Sequence, residues 1–184
     1  MYNAHNVGTL KSLNALVETY YNTVGRGTVL LLNNTPDPTG LIPQIDVQRS
    51  AELGAEIRRR FGKSVAETKG RGEQVELMFD QPTTIDHVVT MEDIHFGERV
   101  REYVIEGLVD GRWKKLAAGS AIGHKRIDRF APVEVSGARL QVIKSAAPPV
   151  IRQLAVYDTT RHSEAETLGS DIIREFGQDP AAGQ

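Results

Sequence analysis

Two asparagines, Asn33 and Asn34, follow directly on the apolar run Val29–Leu32. Four consecutive apolar residues without alternation are typical of a strand that is buried on both faces, as in parallel sheets. Enzymes built on a barrel of such strands bind their substrates at the carboxyl ends of the strands. The two side-chain amides could therefore orient a substrate hydroxyl or a catalytic carboxylate. They could also simply cap the strand and the turn at Pro36, which is the interpretation that we favour.

Glu92, Asp93 and His95 form a small polar group further along the chain. Carboxylates combined with an imidazole can bind a metal ion, but this spacing matches no known set of metal ligands. We therefore predict no metal site and no cofactor. A structural network is the favoured interpretation, in which Asp93 forms a charge-assisted pair with Arg99 or Arg101 and holds the loop in place.

The single tryptophan, Trp113, is followed by hydrogen-bonding side chains at His124, Lys125, Arg126 and Arg129. An aromatic ring beside such groups is typical of a carbohydrate site, because rings stack on the apolar faces of pyranoses. Trp113, His124 and Arg126 are the candidates for such a site. However, only 6% of the residues are aromatic, and carbohydrate-binding modules usually display more exposed rings. We therefore favour a place in the core or at an interface for Trp113.

The first 62 residues carry the signals of a helix, a strand and a second helix. Apolar residues recur at helical spacing over residues 9–24, and the run Thr28–Asn33 is the predicted strand. Asp46 is the expected N-cap of a second helix that ends near Phe61, with Gly62 just after its last turn. This order of elements is typical of an α/β barrel or of a doubly wound sheet.

A polar, glycine-containing linker is predicted at residues 63–72, and a different pattern follows it. Strand signals lie at residues 75–79, 85–89, 100–109, 113–117, 122–130, 139–143 and 151–157. Asp110-Gly111 is a strong signal for a two-residue hairpin turn. About seven strands with frequent turns predict an antiparallel β-sandwich or jelly roll over residues 73–158. The polar tail, residues 159–184, carries a signal for one helix at about 163–176.

Composition narrows the class of protein. The 184 residues include 40% apolar and 25% charged side chains, close to the average of a globular domain. A net charge of −2 gives no reason to expect a nucleic acid or an anionic membrane as a partner. No apolar run is long enough to span a bilayer, and residues 1–25 show no apolar segment of a signal peptide. The chain has no cysteine, so neither a disulfide framework nor a thiolate metal site is expected.

Two successive parts of the sequence resemble the same protein family. The segments Tyr20–Asn33, Pro36-Asp37 and Gly40–Pro43 resemble the end of the catalytic barrel of family 29 glycoside hydrolases, the α-L-fucosidases. The segments Met91–Ile94, Gly97–Val100, Gly111–Trp113 and Ile122–Ile127 resemble the C-terminal β-sandwich of the same enzymes, which is similar to galactose-binding and discoidin-type modules. The resemblance covers residues of about 9–158, in the order that the family has them.

The resemblance implies a mainly β fold in which a galactose-binding-like sandwich follows a helix–strand–helix remnant of a (β/α)8-type barrel. Residues 1–62 would be the terminal barrel elements. The family's enzymes retain the anomeric configuration, and such hydrolysis needs two carboxyl groups about 5–5.5 Å apart. Barrel active sites are assembled from several strands, and this chain offers one, so no residue is assigned as nucleophile or acid/base. Family members are often secreted, periplasmic or lysosomal, which leaves the compartment open.

Three functions remain open from the sequence. The first is the C-terminal accessory region of an α-L-fucosidase, inactive in isolation, whose parent acts on a fucosylated glycan. The second is assembly, because Val29–Leu32 without neighbouring strands would be an exposed apolar edge that favours self-association. The third is a carbohydrate-binding module. We rank them in this order.

Overall fold

The computed structural model describes residues 10–160, in which two helices precede six strands. The elements are α1 (Leu13–Asn22), α2 (Gln44–Phe61), β1 (Ala66–Arg71), β2 (Gln74–Glu92), β3 (Val100–Val109), β4 (Arg112–Gly119), β5 (Arg126–Ser145) and β6 (Val150–Tyr157). All pairs of neighbouring strands are antiparallel, in the order β1-β6-β2-β5-β3-β4. The prediction of a mainly β fold is confirmed, and the sheet is consistent with a β-sandwich.

β2 and β5 are unusually long, with 19 and 20 residues. Their pairing shifts register between Met78 and Thr83 and again between Ile85 and His87. Such irregularities bend strands and increase their twist, so that one strand can cover more than one side of a core. The sequence predicted two strands in each of these regions, because the bends interrupt the apolar alternation without interrupting the strand.

The main core lies on the sheet and draws its side chains from four strands and one connection. Its buried members are Val75, Ile85, Val88, Val100, Tyr103, Ile105, Ile122, Val135, Ala138, Leu140, Val142, Ile151, Leu154 and Val156. The hydroxyl of Tyr103 donates to Oδ2 of Asp128 at 2.7 Å, which satisfies both polar groups inside the core. Gly119 makes room for this ring, since a Cβ there would lie 2.6 Å from the Tyr103 hydroxyl.

A tight turn joins β3 to β4 at the predicted position. Asp110 has φ of 51° and Gly111 has φ of 74°, so both central residues of the hairpin lie in the left-handed region. Positive φ at both positions is the signature of the type I′ turn, whose twist matches that of the flanking strands.

The two helices begin at positions different from those predicted. α1 starts at Leu13, after Ser12 accepts a hydrogen bond from the backbone of Ala15, whereas the apolar pattern suggested residue 9. α2 starts at Gln44, and its N-cap is Pro43. Asp46 is therefore not the N-cap of α2. It lies in the first turn, where its negative charge complements the helix dipole.

The predicted strand Thr28–Asn33 was wrong as a strand. In the described part of the chain, no backbone hydrogen bond joins residues 29–36 to another segment. Val29 and Leu31 are 85% and 79% exposed, although the sequence suggested burial on both faces. The physical reason is that a strand needs neighbours for its N–H and C=O groups, and residues 10–160 provide none at this position.

The predicted linker at residues 63–72 also needs correction, because it contains β1 (Ala66–Arg71), which pairs with β6. The predicted tail helix near 163–176 lies outside the described residues. Within the described ranges, neither helix is long and apolar enough to cross a membrane.

Candidate functional site

The two helices pack against the sheet through a second buried cluster, which is polar at its centre. Its apolar members are Leu16, Val17, Leu53, Val89, Ile127, Ala155 and Tyr157. At its centre lie Tyr21, Phe61, Asp86, His87 and Thr159, which we call the junction cluster. The hydroxyl oxygen of Tyr21, on α1, lies 2.8 Å from Nε2 of His87, on β2.

A strand irregularity allows Asp86 and His87 to be buried side by side. In a regular strand, consecutive side chains point to opposite faces. The pairing of β2 with β5 shifts register between Ile85 and His87, and both polar residues are at most 6% exposed. The shift therefore brings a carboxylate and an imidazole to the same interface.

Asp86 accepts hydrogen bonds from three directions. Nδ1 of His87 lies 2.8 Å from Oδ1, the backbone N–H of Thr159 donates to Oδ1 at 2.9 Å, and the Thr159 hydroxyl donates to Oδ2 at 2.6 Å. Burial alone would raise the pKa of Asp86, but these hydrogen bonds outweigh it and lower the pKa from its ordinary value. A proton on Nδ1 leaves Nε2 of His87 free to accept from Tyr21.

The second helix supplies a positive charge to the same chain of hydrogen bonds. Arg60 donates to the Tyr21 oxygen at 3.0 Å and to Glu56 at 2.6 Å. Arg59 donates to both oxygens of Glu56 and to the carbonyl of Thr159. The hydrogen bond from Arg59, together with that from Arg60, lowers the pKa of Glu56 to about 2 against the opposing effect of burial.

Rings surround the polar centre. Phe61 lies 5.3 Å from Tyr157 and 5.8 Å from His87 between ring centroids, in edge-to-face geometry. The guanidinium of Arg129 lies 4.2 Å from the centroid of Tyr21 and is paired with Glu18. Burial of Tyr21 raises the pKa of its phenol, which keeps the hydroxyl protonated and able to donate.

The junction cluster is suited to positioning rather than to reacting with a substrate. Tyr21 is 4% exposed, and its oxygen faces His87 and Arg60. Each member holds a partner on another element, so the cluster fixes both helices on the sheet. In residues 10–160 no group of three or more metal-ligating side chains comes together.

The predicted site residues lie elsewhere. Asn33 and Asn34 are exposed, in the segment without a neighbouring strand. Trp113 is half-buried and stacks with Arg139, whose guanidinium is 4.3 Å from the ring centroid.

Arg126 pairs with Asp128 at 3.2 Å at the start of β5, beside β2. His124 is exposed. The contacts of Trp113 involve β3 and β5 near the hairpin, so the structure does not gather Trp113, His124 and Arg126 into one site.

The loop after β2 is held by a different carboxylate from the one expected. Glu92 is buried and accepts backbone hydrogen bonds from Arg99, Val100 and Gly123. Asp93 accepts instead from the backbone and ring of His95, so its predicted pair with Arg99 or Arg101 was wrong.

The two arginines bond carbonyl groups. Arg99 donates to the carbonyls of Phe96 and Pro148, and Arg101 donates to that of Val100.

Sequence reasoning did not find the junction cluster, and it gave His87 no role. The signal was present as Asp86-His87 inside the otherwise apolar run 85–89. Two adjacent polar residues in a strand that is buried require partners from another element. Nothing in the pattern identified Tyr21 and Thr159 as those partners, because they lie 66 and 72 residues away from His87.

Comparison with known proteins finds this architecture in solved structures. No family model matches the chain. A crystal structure from Bacteroides thetaiotaomicron VPI-5482, described as a "putative alpha-L-fucosidase", is 39% identical with a TM-score of 0.83, over 85% of this chain and 36% of that one. A glycoside hydrolase 29 family member from an unknown rumen bacterium is 31% identical with a TM-score of 0.79, over 89% of this chain and 32% of that one. Alpha-L-fucosidase 1 of Arabidopsis thaliana is 26% identical, over 86% of this chain and 39% of that protein.

The fold is consistent with the C-terminal β-sandwich of glycoside hydrolases to which the chain is similar. The homologues and structural neighbours of this chain are family 29 α-L-fucosidases, and the chain matches their C-terminal portion. The resemblance seen in the sequence is thereby confirmed. The chain spans about 35–39% of the length of the curated relatives that it matches.

Proposed function

We propose that this chain serves as the C-terminal accessory region of an α-L-fucosidase, which hydrolyses terminal α-L-fucose from a fucosylated glycan. The observation that carries the proposal is the match to a fucosidase-like crystal structure at 39% identity over 85% of this chain. The match covers 36% of that structure, which leaves room for a catalytic barrel outside the matched part. The sandwich would then brace the barrel and shape one wall of the substrate cleft.

Residues 1–62 are proposed to be the terminal elements of that barrel. Residues 29–36 support this assignment, because their backbone has no partner within the described chain and their apolar side chains face outward. Val29 and Leu31 would be buried once strands of a barrel lay beside them. Asn33 and Asn34 would then stand at the carboxyl end of the strand, near the substrate. The sandwich is proposed to begin at β1, so the linker shortens to residues 63–65.

The junction cluster gives the accessory region a mechanical role in this proposal. Tyr21 and Arg60 lie on the two helices, and His87 and Asp86 lie on the sheet. A buried network with all partners satisfied holds one geometry, whereas apolar packing alone allows sliding. The helices would therefore transmit the position of the sandwich to the barrel strand between them.

A chimeric enzyme tests the proposal. The corresponding C-terminal part of the 39% identical Bacteroides protein would be replaced by this chain from Leu13 onward. The chimera is expected to hydrolyse an aryl α-L-fucoside, while this chain alone shows no turnover. Turnover by the isolated chain that follows the protein peak through repurification would contradict the proposal, as would a soluble chimera without activity.

Two matched variants of the chimera distinguish an effect on the proposed barrel strand from a general effect of an added charge on folding. Leu31→Lys places a charge in the proposed barrel strand and should abolish activity or solubility. Met78→Lys introduces the same charge at a side chain that is 58% exposed on the sheet, and activity should survive. Equal activity in both variants would exclude residues 29–36 from the barrel.

We also propose, for the chain alone, self-association through Val29–Leu32. Its support is the exposure of Val29 and Leu31 on a segment whose backbone N–H and C=O groups have no partner in the described part of the chain. Pairing of this segment with its copy would satisfy both needs.

A further inference from the structure

A groove of about 650 Å³ runs along the sheet edge that β1 and β6 form. Its lining residues are Glu67, Thr68, Lys69, Met91, Arg152 and Gln153. Its volume is within the range of ligand sites, about 300–1,000 Å³. These residues belong neither to the junction cluster nor to the segment 29–36, so the groove has no role in the function proposed above.

A β-bulge positions the arginine of the groove. On the β1 side, one residue, Lys69, stands opposite two residues of β6, Arg152 and Gln153. On the β2 side, the register shifts at the same place, between Met91 and Glu92. Arg152 is therefore the extra residue relative to β2, and together with Gln153 it faces the single residue Lys69 of β1. Bulges re-aim side chains and are enriched at sheet edges and beside active sites.

Three cations follow this edge without an ion pair. Among the described residues, no carboxylate lies within 4 Å of the charged groups of Lys69, Arg71 or Arg152. Arg152 contacts the sulfur of Met91 at 2.9 Å. Lysine on an edge strand also discourages pairing with other chains, but that task requires neither a groove nor a bulged arginine.

Arg71, stacked on Phe96, extends the row of cations beyond the groove. Arg71 lies two residues from Lys69 and so on the same face of β1, and its guanidinium is 5.3 Å from the Phe96 ring centroid. The ring is 46% exposed. A cation–π contact orients a guanidinium without using its N–H groups, so those of Arg71 stay available to an acceptor.

An amide and a carboxylate meet on the other side of Lys69. Nε2 of Gln153 donates to Oε2 of Glu67 at 2.8 Å. The amide oxygen of Gln153 and the second oxygen of Glu67 can accept from hydroxyl groups. The groove thus combines carboxylate-binding groups with acceptors for hydroxyls in one row.

We propose that this groove binds an acidic oligosaccharide. Arg152 and Lys69 hold the carboxylate of one sugar, Arg71 holds that of a neighbouring sugar, and Glu67 and Gln153 accept from the hydroxyls. The forked donors of a guanidinium match a carboxylate in two parallel hydrogen bonds. A neutral sugar would offer the three cations no carboxylate to pair with and would bind more weakly.

Titration of the whole chain with trigalacturonate tests the proposal, followed by amide chemical shifts in NMR spectra. The expected result is shifts at Lys69, Arg152 and Gln153, and none of that size with neutral galactotriose or with acetate. Arg152→Gln should weaken binding at least about tenfold, because the charge-assisted hydrogen bonds from the guanidinium to the carboxylate are lost. Because Arg152 lies in the bulge, Arg71→Gln provides a second test on a regular part of β1.

Arg112→Gln is the matched control. It removes the same charge from an exposed residue of β4, at the opposite edge of the sheet. Affinity should change less than about twofold, because distant surface charges are screened by salt. Absence of shifts with trigalacturonate, equal binding of galactotriose, identical shifts with acetate alone, or an equal loss in Arg112→Gln would each overturn the proposal.

Discussion

The hydroxyl of Tyr21 lies 2.8 Å from Nε2 of His87, and this contact joins α1 to β2 across 66 residues of sequence. The pair is extended on one side by Arg60 and on the other by Asp86. One hydrogen-bonded chain therefore crosses from the second helix, through the first, into the sheet. Because each group in this chain has a hydrogen-bonding partner, Tyr21, Asp86 and His87 can be buried at an interface that is otherwise apolar.

Tyr21→Phe should destabilise the chain by about 1–3 kcal/mol, because it leaves Nε2 of the buried His87 without a partner and removes one of the hydrogen bonds of Arg60. The measurement is urea unfolding followed by circular dichroism. Tyr20→Phe is the matched control, since that hydroxyl has only a 3.4 Å contact with Lys125. If both variants lose the same free energy of unfolding, the hydrogen bonds of Tyr21 do not contribute more to stability than the long contact of the Tyr20 hydroxyl.

Glu56 should make stability depend on pH below neutrality. Its pKa is lowered from 4.5 to about 2, so its contribution is complete above pH 4.5 and is lost as the pH falls towards 2. Glu56→Gln should therefore be less stable than the wild type at pH 6, and the difference should shrink progressively between pH 4.5 and pH 2. Unfolding midpoints measured at several pH values report this difference.

Glu52→Gln is the comparison for that experiment. Glu52 pairs with Arg49 on the same helix, but its side chain is 41% exposed. Exposed ion pairs contribute about 0–1 kcal/mol, so the difference should be small at every pH. A pH-independent loss in Glu56→Gln would contradict the role given to its charge.

The hairpin between β3 and β4 should not tolerate Gly111→Pro. Proline fixes φ near −65°, whereas Gly111 has φ of 74°. The expected loss exceeds about 1 kcal/mol, because the native conformation becomes inaccessible. Asp110→Asn keeps a residue that accepts positive φ and should leave thermal unfolding nearly unchanged. Similar unfolding midpoints for both variants would show that the stability of the hairpin does not require a positive φ at residue 111.

Self-association of the chain should depend on residues 29–32. Light scattering of the wild type is expected to report dimers at high concentration, and Leu31→Lys should return the chain to the monomer. Met78→Lys serves as a control, because it charges another exposed apolar residue. A monomeric wild type with amides of residues 28–33 protected from hydrogen exchange would instead indicate docking within one molecule.

Local signals allowed the sheet to be predicted in outline. The alternation over residues 100–109 and the Asp110-Gly111 turn gave β3 and its hairpin, because both depend on residues close in sequence. The junction cluster could not be predicted in this way, because Asp86 and Thr159 come together only in the fold.

The strand over Thr28–Asn33 was the opposite case. Its four apolar residues are typical of a strand buried between two neighbours, but residues 10–160 supply no neighbouring strand at this position.

The order of the strands sets a constraint on how the chain folds as it is made. β1 ends at Arg71, and its neighbour in the sheet, β6, begins at Val150. A chain emerging from the ribosome would therefore carry an unpaired edge strand while the intervening strands are synthesised. Contacts of such long sequence separation slow folding and prolong the exposure of strands. The cations on β1 would then discourage its pairing with other nascent chains during the interval before β6 is synthesised.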